Sequence, residues 1–122
     1  MSKYVFAYDT HGLNEDRFNN DDVRKIIIDF LLSHGVLADD IKEPVQTTFT
    51  FISTLETATW NGYITTELVP AFNEMMQDVY YYFGSIKQHT NGTYFNYIKG
   101  NPVLQRNLNV LIQQVVRERG NR

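Results

Sequence analysis

One stretch near the start constrains this chain most: Tyr4-Val-Phe-Ala-Tyr-Asp9, running into Thr10-His11-Gly12. Aromatic and β-branched residues suit a pleated, packed surface. A short apolar run closed by a turn signal reads as a strand buried on both faces. Such a strand needs neighbours on its edges and cover above and below, so the rest of the chain has to supply a sheet and helices. The run also ends in a carboxylate, which places Asp9 at the rim of that sheet.

At 122 residues the chain has room for one domain with a real core and not for two. We read residues 1–122 as a single domain, with a core of about 3–88 and a carboxyl-terminal strand-and-helix extension of about 93–120. Eight Tyr and eight Phe tilt the composition toward a sheet. A formal charge of −3 argues against wrapping nucleic acid by bulk electrostatics, which needs clustered Lys and Arg, but leaves a local basic patch open. With no cysteine, disulfides, thiolate zinc sites and cysteine nucleophiles are excluded. Met1-Ser2-Lys3 precedes an apolar run too short for a signal peptide, and no stretch has membrane-spanning length. The expectation is a cytoplasmic protein without a membrane partner.

A polar loop from His11 to Asn20 follows the first strand. Asn20 or Asp21 then caps a helix whose stripe is Val23, Ile26, Ile27, Phe30 and Leu31, with Asp21 and Asp22 at its positive end and Gly35 as a left-handed stop. Ala38 to Pro44 reads as a connection. Val45 to Ser53 reads as one strand, or two short strands separated by a bend. Thr54 to Asp78 allows two readings. One is a helix burying Tyr63, Ile64, Leu68, Phe72, Met75 and Met76, with Pro70 as a kink or in a first turn starting near Thr66. The other is a hairpin around Asn61-Gly62. The favoured reading is a helix over at least Glu67 to Gln77. Val79 to Lys87 is a further strand, and Asn91-Gly92 joins it to a second strand over Thr93 to Ile98. Asn101 caps a last helix with Pro102 in its first turn. Leu104, Leu108, Leu111, Ile112 and Val115 form its stripe, and Arg117 and Arg119 suit its carboxyl end. That stripe must be buried over the sheet or against a second subunit.

The order strand, helix, strand, helix, strand, strand, helix predicts an α+β fold. The form expected is a ferredoxin-like split βαβ sandwich, with an antiparallel sheet plus a carboxyl-terminal hairpin strand and helix.

Several side chains carry chemistry. Asp9 is either a metal ligand or a carboxylate accepting N–H groups in its own turn. His11 is a second ligand, a proton-transfer group, or simply solvated. Glu15, Asp16, Asp21 and Asp22 could add metal affinity, although the helix start already explains Asp21 and Asp22. His34 is expected to satisfy the helix end, His89 to be exposed, and Met75 and Met76 to fill the core. Tyr80 to Tyr82 offer rings for base stacking, but packing in core and interface is the favoured reading. Trp60 either anchors a contact or plugs the core. Arg106, Arg117, Arg119 and Arg122 could form a basic face. There is no phosphate loop, dinucleotide fingerprint or zinc motif.

Three stretches together resemble the small CRISPR-associated endoribonucleases of the adaptation complex and their relatives typified by virulence-associated protein D. They are Tyr4 to Asp9, the Gly35-Val36 helix end with the Val45-Gln46-Thr47-Thr48-Phe49 strand, and Asp78-Val79-Tyr80-Tyr81-Tyr82. The resemblance covers roughly residues 3–88. It implies a homodimer in which the two copies of Asp9 approach across the dimer axis and hold Mg²⁺ or Mn²⁺ for cleavage of RNA or DNA, with His11 assisting. The chain departs from that pattern after Asp9: family members often carry basic residues there, and here the residues are His11, Gly12, Asn14, Glu15 and Asp16, with Arg17 alone positive. The expectation is therefore a metal-dependent endoribonuclease-like homodimer. The alternative on the same fold is a non-catalytic dimerisation or protein-interaction module, an assembly subunit or an inhibitor.

Overall fold

Strand β1 (Ser2–Tyr8) is an inner strand of a four-stranded sheet ordered β2-β3-β1-β4, in which every pairing is antiparallel. The partners are β2 (Lys42–Val45), β3 (Thr48–Ser53) and β4 (Tyr81–Ile86). These observations come from a computed structural model that describes residues 1–86 and 101–121. The expected hairpin partner over Thr93 to Ile98, His89 and Arg122 lie outside the described residues.

The side chains of β1 alternate. Tyr4, Phe6 and Tyr8 are buried, whereas Lys3, Val5 and Ala7 are half-buried. The expected double burial is thus corrected to one fully buried face. The register sets Phe6 opposite both Phe49 and Phe83, and Tyr4 opposite Phe51, so rings from three strands share that face. Offset and tilted ring contacts follow, such as Tyr4 to Phe83 at 5.2 Å and Phe51 to Trp60 at 5.0 Å.

Helix α1 (Asn20–Ser33) packs Val23, Ile27, Ile28, Phe30 and Leu31 into this core. Its cap is Asn19, one residue before the expected one. Asn19 Oδ1 accepts the Asp22 N–H and Asp22 Oδ2 accepts the Asn19 N–H, both at 2.9 Å, a reciprocal capping box. Gly35 takes φ +87°, as a left-handed stop requires.

A 3-10 turn (Ala38–Asp40) leads into β2, a strand where the sequence suggested only a connection. Pro44 hid it. Proline cannot donate to a ladder and is tolerated on an edge strand or at an irregularity, and β2 is both an edge and irregular in register between Lys42 and Val45. The bend expected within Val45 to Ser53 is the tight turn at Gln46 and Thr47, where Thr47 adopts φ 59°.

The hairpin reading of Asn61-Gly62 is overturned, because both residues lie inside helix α2 (Thr57–Tyr63). The helix continues through a π-helical turn (Ile64–Leu68) into α3 (Val69–Asn73), stopping short of the expected Gln77. Trp60, Ile64, Leu68 and Phe72 are all buried. Residues four apart drift round an ideal α-helix, since its turn holds 3.6 residues. The wider π turn, marked by the bond from Val69 N–H to Ile64 C=O, brings them back to one face. It also precedes Pro70, which has no N–H to continue an α-helical ladder. Trp60 plugs the core and donates Nε1–H to Ser53 Oγ at 3.0 Å.

Helix α4 (Pro102–Gly120) begins as the sequence indicates. Asn101 Oδ1 accepts the Val103 and Leu104 N–H groups, and Pro102 stands in the first turn. Its stripe (Leu108, Leu111, Ile112, Val115) joins the same core, and the helix packs against α1 and β2. Arg119 closes the far end on Asp29 at 2.8 Å. The stripe is therefore buried within its own chain.

Candidate functional site around Asp9

Three elements meet where β1 ends. Tyr8 N–H donates to the Thr47 carbonyl of the β2–β3 turn, and Asp9 N–H donates to the Tyr80 carbonyl ahead of β4, both at 3.0 Å. The loop that follows is fastened to the segment after α3. Gln77 N–H donates to Gly12 C=O at 3.0 Å, and Asn14 N–H donates to Met75 C=O at 2.9 Å. Gly12 sits at φ +78°, and a Cβ there would come within 3.0 Å of Gln77 Cβ, so the seam needs glycine. Met75 and Met76 are buried beneath it, as expected.

Asp9 is exposed, and its Oδ1 accepts the His11 N–H at 2.8 Å. This is the turn-forming carboxylate arrangement, one of the two readings the sequence left open. The imidazole of His11 is exposed too. Asp21 is paired with Arg24 at 3.0 Å, and Asp22 is in the capping box. Among the described residues, no three His, Asp or Glu side chains gather as a metal-holding group. Arg17 stands over the Phe18 ring at 5.1 Å.

Beside Asp9 lie Tyr80, Tyr81 and Tyr82, which are 59%, 40% and 65% exposed. In the chain by itself these rings stand out, because every other described aromatic residue is buried or half-buried. Tyr81 still stacks on Phe6 at 5.6 Å. Alternation along β4 puts Tyr82 on the opposite face, where its ring lies back along the strand over Gly84. A Cβ on Gly84 would fall 2.8 Å from the Tyr82 hydroxyl.

Away from the rim, His34 does not turn to its own helix carbonyls with its ring. Its Nε2 lies 3.0 Å from a Glu67 carboxylate oxygen, and the ring stacks on Tyr63 at 3.8 Å. Arg119 is held by Asp29, and the exposed Arg117 donates its Nε–H to its own helix at Gln113 C=O.

The strongest electrostatic arrangement went unnoticed in the sequence. Glu43 on β2 is 1% exposed, and Arg24 grips both its oxygens, Nη2 to Oε1 at 2.6 Å and Nε to Oε2 at 3.2 Å. Glu43 N–H also donates to Gln105 Oε1 on α4 at 3.0 Å. Burial raises the Glu43 carboxyl above the usual glutamate range, and Arg24 pulls it back without cancelling that effect. Burial likewise pushes the Tyr8 phenol up, and the nearby Glu43 charge adds to it. The only sequence signal was an arginine on the polar side of α1 and an acid preceding Pro44.

Among the described residues, no helix is long and apolar enough to cross a membrane. Comparison with protein-family models, curated proteins and solved structures returned no match.

Proposed function

We propose that this chain is a non-catalytic protein-interaction module on a ferredoxin-like split βαβ fold, with the Asp9 rim as its contact surface. The fold part is supported by the strand order β2-β3-β1-β4, its antiparallel pairings and the helices over its aromatic face. The functional part is carried by one observation: Asp9 spends a carboxylate oxygen on its own turn while three exposed tyrosines stand beside it. Exposed aromatic rings on a rigid strand are what binding surfaces use.

A second reading keeps the endoribonuclease-like homodimer. It is favoured by the exposure of Asp9 at the carboxyl end of β1, where two copies could bring their carboxylates to one Mg²⁺ or Mn²⁺. His11 is its candidate assistant. The deciding experiment incubates purified protein with RNA and with DNA in either metal, beside Asp9→Ala. No cleavage by either protein is the expected result. Metal-dependent cleavage that disappears in Asp9→Ala would replace the first reading with the second.

A further inference from the structure

We infer that the Asp9 rim docks an arginine-rich segment of a partner protein. This inference rests on the interaction-module reading and names the chemistry of the partner. Two independent features meet at the rim. The first is the aromatic row: Tyr80, whose carbonyl accepts the Asp9 N–H, and Tyr82, opposite Ala7 with its ring over Gly84, present the most exposed rings among the described residues. The second is segregation of charge. The seam of hydrogen bonds joins residues 9–14 to residues 75–80, within the two stretches 9–24 and 74–82. These two stretches hold seven of the fourteen carboxylates (Asp9, Glu15, Asp16, Asp21, Asp22, Glu74, Asp78) and, of the eleven Lys and Arg, only Arg17 and Arg24, the latter paired with Asp21. A chain of net −3 thus carries −5 here and +2 over everything else.

Rings and carboxylates together select among partners. Phosphate backbones need Lys and Arg and are repelled by this field, which disfavours nucleic acid at the rim. A lysine-rich segment would satisfy the charge but gains less from the rings. Guanidinium is planar and weakly hydrated. It stacks on tyrosine and pairs with a carboxylate through two parallel N–H bonds. Arginine therefore uses both features at once.

The test measures binding of fluorescein-labelled nona-arginine, nona-lysine and a single-stranded oligonucleotide to the full chain. The expected result is about fivefold tighter binding of the arginine peptide than of the lysine peptide, the scale of exposed cation–π contacts. The preference should vanish in Tyr80→Leu/Tyr82→Leu, survive in Tyr80→Phe/Tyr82→Phe, and remain while both affinities fall in Glu74→Gln/Asp78→Asn. Both tyrosines are exposed, and circular dichroism verifies that the variants fold. Equal affinities in the wild type, a preference that persists in the leucine variant, or tighter binding of the oligonucleotide would overturn the inference. Failure here with no nuclease activity leaves an interaction module for a partner of other chemistry. Cleavage that requires Asp9 removes the underlying reading whatever the peptides do.

Discussion

Glu43 and Asp9 are two carboxylates on one sheet, and the chain treats them in opposite ways. Glu43 stands on an edge strand, yet α1 and α4 close over it, and a half-buried arginine grips it with two bonds. Asp9 stands beyond an inner strand, yet it is exposed and its bond is to a residue two positions away. The position of a carboxylate in a strand therefore says little about its task. What decides is how many elements converge on it. Glu43 ties β2 to α1 through its side chain and to α4 through its backbone. Asp9 organises one turn and leaves its charge facing solvent.

The largest effect expected from this contrast comes from Arg24→Ala. Removing one partner of a buried pair strands the other charge, and such losses are about 3–5 kcal/mol. Urea denaturation should show that loss. Arg24→Met/Glu43→Met should recover most of it, because an apolar pair of similar length carries no desolvation penalty. A loss below about 1 kcal/mol in Arg24→Ala would mean the pair is solvated, and the contrast with Asp9 would collapse.

Gly12→Ala comes next. It forces a side chain into a left-handed conformation and against Gln77, in the seam that holds the Asp9 loop in place. A loss of about 1–2 kcal/mol is expected. Amide exchange should quicken at Asn14 and Gln77, whose N–H groups make the seam. Uniform destabilisation without local quickening would show that the loop is not fastened separately from the core.

How much of this was legible in the sequence depended on how local each cause was. The ends of α1 and α4 are set by residues within one turn, so Asn101, Pro102 and Gly35 could be read directly. Asn61-Gly62 carried a strong local turn signal, but Trp60 and Ile64 on either side are drawn into the core, and burial of those side chains outweighs a dipeptide preference. The Arg24–Glu43 pair joins residues 19 positions apart, and Gln105 of α4, which accepts the Glu43 N–H, arrives from much later in the chain. No pattern within a window reports that. Asp9 was legible as a place but not as a role. The same residues, Tyr4 to Asp9, predict the strand and its rim, whereas the seam to residues 75–80 determines what the rim presents.

A pH measurement separates the two carboxylates further. The folded state holds the Glu43 proton more tightly than the unfolded chain does, because burial raises its pKa. Unfolding then releases a proton, so rising pH favours the unfolded state across the interval from the ordinary glutamate value, about 4.3, up to the raised one. The stability of the wild type minus that of Glu43→Gln should therefore be greatest below that interval and fall through it. A difference that rises with pH would mean that Arg24 overcompensates for burial.

The smallest effect is reserved for Asp9, and it is the most diagnostic. Asparagine keeps the acceptor oxygen that takes the His11 N–H, so Asp9→Asn should shift stability by less than about 0.5 kcal/mol. Alanine loses that acceptor, and on an exposed turn the cost should be about 0.5–1 kcal/mol, a small fraction of the loss at Arg24. Stability and recognition then come apart at this residue. Asp9→Asn removes one charge from the rim while keeping the turn, so it should weaken binding of the arginine peptide without altering the melting transition. A clear melting shift in Asp9→Asn would make the charge structural and place Asp9 with Glu43. Unchanged peptide binding, with the turn intact, would move the recognition charge to Glu74 and Asp78 across the seam.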